Sequence, residues 1–268
     1  MAEDMVRGWR GRAVPLPRRS ATLASWSLVQ VELDALRAVL RQSAAEHIAV
    51  LSGACYPLVS GAELHRQLTA WAGRSYLMSV PIPFTPWNTP RHQDGGTWRF
   101  TRRFVLRGDD VVFVAGVPLR WPGRRQVPEG LRLRASSQWK IYARHHAELL
   151  LRIVDTRPDV VAFWRRTLVP DESFAASVLS SPTLAGVDAA PLCHGHAWYQ
   201  QWTDDRPDHP DWLRVDDFDR IAAARRGPVA DPVVLQQPGP MPQALFARKF
   251  SSETEGGLID RIDAELRA

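Results

Sequence analysis

Apolar residues recur at helical spacing in several separate windows of the chain. Behind Ser25, residues 26–40 place an apolar stripe along one face, which predicts a buried amphipathic helix with a serine cap. His47, Ile48, Ala49, Val50 and Leu51 form a short apolar run ending in Ser52 and Gly53, the pattern of a buried strand feeding a loop. A second helix is predicted from near Ser60, carrying Leu64, Leu68 and Trp71 on one face. Residues 100–106 and 111–117 alternate and predict a hairpin about Gly108, Asp109 and Asp110. Residues 137–154 read as a Ser-capped helix, and residues 159–166, 216–224 and 257–266 as shorter ones.

Between these windows the pattern weakens. Residues 1–22 are rich in Arg and Pro and specify little, apart from a strand-like run over 12–16. Residues 79–96 are dense in Pro, Asn, Thr and Gly and read as a surface loop. Residues 183–213 are loop-like but aromatic, with Trp198, Tyr199, Trp202 and Trp212; such rings suit a sugar face, or equally anchor a long loop on the core. Residues 225–244 are a Pro-, Gly- and Gln-rich insertion. No repeat shows, and the expectation is a single α/β domain over residues 1–268.

One stretch organises the chemistry. In residues 167–182, Pro170 presets a first helical turn, Asp171 and Glu172 follow where a helix dipole favours anions, and Phe174, Val178 and Leu179 continue at helical spacing until Pro182 stops the helix. Free backbone N–H groups at such a start would keep a carboxylate ionised near neutral pH. That describes a fixed general base, or else an acid-decorated helix start.

Composition narrows the partners. The net charge is +5 and the pI about 9.7, yet the arginines are scattered and no basic block is interleaved with aromatics, which argues against nucleic acid and leaves anionic small molecules or glycans open. Of 34 basic residues only Lys140 and Lys249 are lysines. Cys55 and Cys193 give neither a disulfide framework nor zinc spacing, so a reducing, cytoplasmic setting is expected. No apolar run approaches the roughly 20 residues of a membrane span; peripheral contact with a membrane that carries the acceptor stays open. Cys193, His194 and His196 cluster, as do His145 and His146, without the second pair a zinc site needs. Asp217-Phe218-Asp219 is an Asp-x-Asp of the kind that holds a metal and a diphosphate, although its flanks read as a helix start.

Five stretches, in order, carry a resemblance: Ala24-Ser25-Trp26-Ser27, Leu51-Ser52-Gly53-Ala54-Cys55-Tyr56-Pro57-Leu58, Ser136-Ser137-Gln138-Trp139, Val169-Pro170-Asp171-Glu172-Ser173-Phe174 and Leu245-Phe246-Ala247-Arg248-Lys249-Phe250. With them the chain resembles the core-2/I-branching β-1,6-N-acetylglucosaminyltransferases and their xylosyltransferase relatives, glycosyltransferase family 14. The resemblance implies a GT-A-like fold with a mixed sheet flanked by helices, a UDP-sugar donor, a glycan or glycoside acceptor, and inverting transfer with no divalent metal or other cofactor. It assigns Glu172 as the base, Lys249, Arg214 and Arg248 to the donor diphosphate, and Trp202, Arg99 and Trp198 to the acceptor.

Physics agrees with that assignment: inverting transfer needs one carboxylate, and a departing diphosphate needs positive charge where no metal sits. Two departures follow. Cys55 stands where the family pattern has an aspartate, and the strand-helix units that precede the Ala-Ser-Trp-Ser helix in the family are not in this sequence, so an N-terminally truncated form is expected. The alternative function is a non-catalytic glycan-binding protein or partner subunit derived from such an enzyme.

Overall fold

A computed structural model describes residues 13–71, 73–186, 192–194, 197–203, 209–227, 243–253 and 256–268. The first helix, α1 (Trp26–Gln42), buries Trp26, Val29, Leu33 and Leu36 as its stripe predicts. Ser25 precedes it but makes no cap bond to the helix; its Oγ instead accepts from the Val111 N–H at 2.9 Å, tying the helix start to a hairpin far along the chain. Strands β1 (His47–Val50) and β2 (Cys55–Pro57) follow, then α2 (Gly61–Ala70), whose Glu63 N–H bonds to the Ser60 hydroxyl at 3.3 Å, a true N-cap. Strand β3 is Ser75–Leu77.

The largest departure from the sequence pattern lies at residues 137–154. The single helix expected there is a strand, β4 (Lys140–Ala143), running into a helix, α3 (Arg144–Thr156). All four residues of β4 are buried, so no alternation marks them as a strand and their apolar run merges into the helical pattern behind it. Strand β4 pairs antiparallel with β1, Val50 opposite Lys140, and antiparallel with β3.

Beyond α4 (Pro158–Trp164) and α5 (Phe174–Leu179), the segment expected to be loop-like contains two strands, β5 (Leu192–His194) and β6 (Trp198–Gln200). Strand β5 completes a four-stranded sheet of order β1-β4-β3-β5, its last pairing parallel. After α6 (Phe218–Arg226) comes β7 (Phe246–Arg248), and α7 (Leu258–Glu265) ends the chain. Strand β7 sits between β6, parallel, and β2, antiparallel, in a second sheet. The architecture is mixed α/β with small sheets.

Aromatic rings fasten the helices that flank the candidate base. Phe174 receives Trp26 edge-on at 5.0 Å and Trp164 at 5.6 Å, and Phe100 meets Trp164 at 5.9 Å. Residues 13–16 form no strand. The predicted surface loop over 79–96 is irregular but not all surface, because Val80 and Phe84 are buried and Val80–Pro81 pairs with Arg134–Ala135. The predicted turn at Gly108 is present, with Leu106–Arg107 against Asp110–Val111, while Trp98–Thr101 is a helical turn and Phe113–Val114 forms a further hairpin with Val117–Pro118. Among the described residues no helix is long and apolar enough to cross a membrane. The insertion lies almost wholly outside the described residues, as does His196.

Candidate active site

Glu172 does not sit in the first turn of an α-helix. Pro170–Glu172 forms a separate 3-10 turn, Ser173 breaks the run, and α5 starts only at Phe174; Pro182 opens a further short helix instead of stopping one. The fan of free amides expected around the carboxylate is therefore replaced by side chains. The turn itself is held from outside by backbone hydrogen bonds: Val169 N–H to Ala24 O at 2.9 Å, Leu168 N–H to Arg99 O at 3.1 Å, and Ser136 N–H to Glu172 O at 2.7 Å. Val169 enters it at φ +53°, a left-handed conformation that a β-branched residue adopts only when its surroundings impose it.

The two acids of the turn part ways. Asp171 is 5% exposed and its Oδ1 is buried without a hydrogen-bond partner, whereas the Glu172 side chain is 38% exposed. Glu172 Oε2 lies 3.4 Å from Arg99 Nη1, and the Arg99 guanidinium, only 15% exposed, stacks 4.1 Å over the Trp87 ring. Behind them Lys140, 2% exposed, donates to Glu32 Oε2 at 3.0 Å and to the Asp171 carbonyl at 3.3 Å, and the Tyr142 hydroxyl donates to Glu32 Oε1 at 2.5 Å. Burial pushes the Asp171 carboxyl up to about 7, the neighbouring Glu172 charge adds to the rise, and Lys140 opposes it. Burial also raises the pKa of Glu172, against the pull of Arg99 and Lys140. Protein crowds this carboxyl from behind while solvent reaches it from one side. A raised carboxylate that stays open and is steered by a fixed guanidinium can take a proton near neutral pH.

A second group gathers at the end of β7. Arg248 stands opposite Cys55 across the β7–β2 pair and stacks 4.2 Å over the Trp139 ring; burial lowers its pKa and Cys55 opposes that. Lys249 places its ammonium 4.2 Å over the Trp212 ring, and its carbonyl accepts from the Leu213 N–H at 2.8 Å. That bond sets exposed Arg214 next to the strand end. Trp202 is 42% exposed, on the segment joined to Trp212 through the Asp211 N–H to Gln201 O bond. Trp198 is different: it is 4% exposed and stacks on Phe246 at 5.1 Å, so its ring holds the second sheet together and offers no open face to a sugar.

The segment 136–139 joins the two groups. Its first residue holds the Glu172 carbonyl and its last supports Arg248, and three residues of chain reach at most about 11 Å. All five stretches behind the resemblance thus meet: Ala24 and Ser136 hold the Glu172 turn, Trp139 and Cys55 contact Arg248, and Ala54 O accepts from Phe250 N–H at 3.0 Å.

Asp217 accepts from the Arg214 N–H at 2.8 Å and is ion-paired with Arg220, while Asp219 is 94% exposed and lies 4.0 Å from Arg261. His146 is buried with Ser75 Oγ 2.7 Å from its Nδ1, and Cys193 and His194 lie in β5. Among the described residues no three of His, Cys, Asp and Glu gather as a ligand set. Sequence reasoning missed Glu32 and Lys140. Lysine rarity singled out Lys249 and applied equally to Lys140; Glu32 looked like an ordinary polar position on an amphipathic helix.

No curated protein matches the chain. The family model described as Core-2/I-Branching enzyme matches residues 11–221, a span that holds Glu172, Arg99 and Arg214 and ends before Arg248 and Lys249. On that match, which covers most of its length, the chain belongs to the core-2/I-branching enzyme family of glycosyltransferases.

Proposed function

We propose that this family member is an inverting, metal-independent glycosyltransferase of GT-A-like fold that moves a sugar, N-acetylglucosamine by resemblance, from a UDP-sugar to a hydroxyl of a sugar-containing acceptor. The observation that carries the reading is the division of labour within one turn: Asp171 is sealed, and Glu172 beside it is open, raised in pKa and steered by Arg99. Glu172 takes the acceptor hydroxyl proton as the acceptor oxygen bonds to the anomeric carbon. The bond from that carbon to the diphosphate oxygen breaks, and UDP leaves with the electron pair. Lys249, Arg248 and Arg214 offset the charge of the departing diphosphate, the work a metal does elsewhere. Arg99 holds the base, and Trp202 gives the acceptor an aromatic face.

The experiment is transfer from UDP-N-acetylglucosamine to glycoside acceptors, with UDP affinity measured alongside by calorimetry. Glu172→Gln is expected to lower transfer by about 10²–10⁴-fold while UDP affinity holds, and EDTA is expected to change neither. Transfer that survives in Glu172→Gln puts the base elsewhere.

A further inference from the structure

The six arginines of residues 102–125 stand against two aspartates, so this short segment accounts for most of the chain's net charge of +5. Both aspartates are already engaged: Asp110 accepts from the Ser27 hydroxyl, and Asp109 lies 3.2 Å from Arg165. Among the described residues none of the six arginines is ion-paired with a carboxylate. Arg103 and Arg125, with Arg166, line a cavity of about 690 Å³ whose remaining wall includes Phe104, Leu106 and Trp121, with no acid in its lining. Both terminal nitrogens of Arg125 are anchored, to Phe163 O at 2.6 Å and Thr167 Oγ1 at 2.7 Å, so this charge is held in place. Burial and the charge of Arg166 lower its pKa to about 10, the mark of positive charge without a counter-ion.

Beside this cavity a hairpin presents its apolar side to water. Residues 113–119 read Phe-Val-Ala-Gly-Val-Pro-Leu, without one polar side chain. Val114 pairs with Val117 at the tip, around Ala115 and Gly116 at positive φ, and the two valines are 59% and 47% exposed. Leu119, just before the strand Arg120–Arg124, and Trp121 within it are 44% and 64% exposed. An apolar tip on an arginine-rich hairpin, with an exposed tryptophan on the returning strand, has the chemistry of an interfacial anchor.

We infer that the hairpin of residues 102–125 is a docking surface for an anionic phospholipid bilayer, with the 113–119 tip entering the headgroup boundary and the Arg103, Arg125 and Arg166 cavity facing the phosphates. Charge complementarity selects this occupant. A second copy of the chain would bring like-charged arginines together, and a nucleic acid would leave Val114, Val117 and Trp121 with nothing to bury.

Co-sedimentation of the full chain with phosphatidylglycerol vesicles and with phosphatidylcholine vesicles tests this. Binding is expected to the anionic vesicles, weakened by salt, and on the order of tenfold weaker in both Val114→Ser/Val117→Ser and Arg103→Gln/Arg166→Gln. Arg18→Gln/Arg41→Gln, which removes equal charge from another surface, is expected to bind like the parent. Brominated acyl chains are expected to quench the parent's fluorescence more than that of Trp121→Phe. Circular dichroism identifies any variant that has lost its fold, and Trp121→Phe then supplies the comparison. Equal binding to neutral vesicles, unchanged binding in both hairpin variants, or binding that depends on the arginines but not on the tip valines overturns the inference; the last outcome marks a site for soluble polyanions.

Discussion

At the Arg99–Glu172 contact the charge of one side chain shifts the pKa of the other. Because Arg99 pulls the Glu172 pKa down against burial, Arg99→Leu should raise it further. If Glu172 is the base it works ionised, so kcat/KM is expected to rise with pH, with its acid limb above the ordinary carboxylate range, and the limb should move to still higher pH in Arg99→Leu and partly return in Arg99→Lys. The pH profile of kcat/KM measures this. Asp171 yields a stability effect of opposite sense to a salt-bridged acid. Its pKa is about 7 folded and near 3.8 unfolded, so between those values the folded state holds the extra proton and stability falls as pH rises from about 4 to about 7. Denaturant unfolding across that window should show the fall, and Asp171→Asn should flatten it.

The residue scale also shows why local pattern finds Asp171 and Glu172 together and only the family resemblance picks Glu172. Two adjacent acids after a proline mark a turn whichever of them is open. Their fates were settled by Ser136, Lys140 and Arg99, which come from two other stretches of the chain. Trp198 and Trp202 are a similar pair: both are tryptophans in an aromatic stretch, but Trp198 points into the sheet on Phe246.

Among the elements, α5 buttresses the Glu172 turn. All six of its residues are buried, and Phe174 is the ring on which Trp26 and Trp164 close. Phe174→Ala is expected to cost about 3–5 kcal/mol, measured by denaturant unfolding, and to lower transfer more than UDP binding, because it loosens the Glu172 turn and leaves β7 intact. The amphipathic helices α1 and α2 were legible because α1 buries one stripe, α2 packs a half-buried one of Leu64, Leu68 and Trp71 against the core, and each shows its other face to water. Strand β4 was not, since it is buried on both faces and central in its sheet, and nothing in Lys140-Ile141-Tyr142-Ala143 distinguishes a buried strand from the first turn of the helix that follows.

At the scale of the molecule, separate chemistries meet the two ends of the 136–139 segment: the acid of the Glu172 turn at one end, the cations at the end of β7 at the other. If Lys249 meets the diphosphate, Lys249→Ala should weaken UDP at least tenfold and leave uridine nearly unchanged, by calorimetry. Equal losses for both ligands would instead place Lys249 against the nucleoside. The Trp212 ring beneath its ammonium makes Lys249→Arg a useful companion, since a guanidinium also stacks on an indole and should keep most of the affinity.

By itself the sequence determined the amphipathic helices, that the chain turns into helical backbone at Pro170, and the stretches that carry the family resemblance, because each is written in a local period or a local residue order. Only the tertiary structure decided that Glu172 stands open while Asp171 is sealed, that Arg99 and Lys140 supply the charges around them, and that Trp198 belongs to the core. Burial, pKa and exposure are sums over neighbours that lie far apart along the chain, and those neighbours meet only once the sheets have formed.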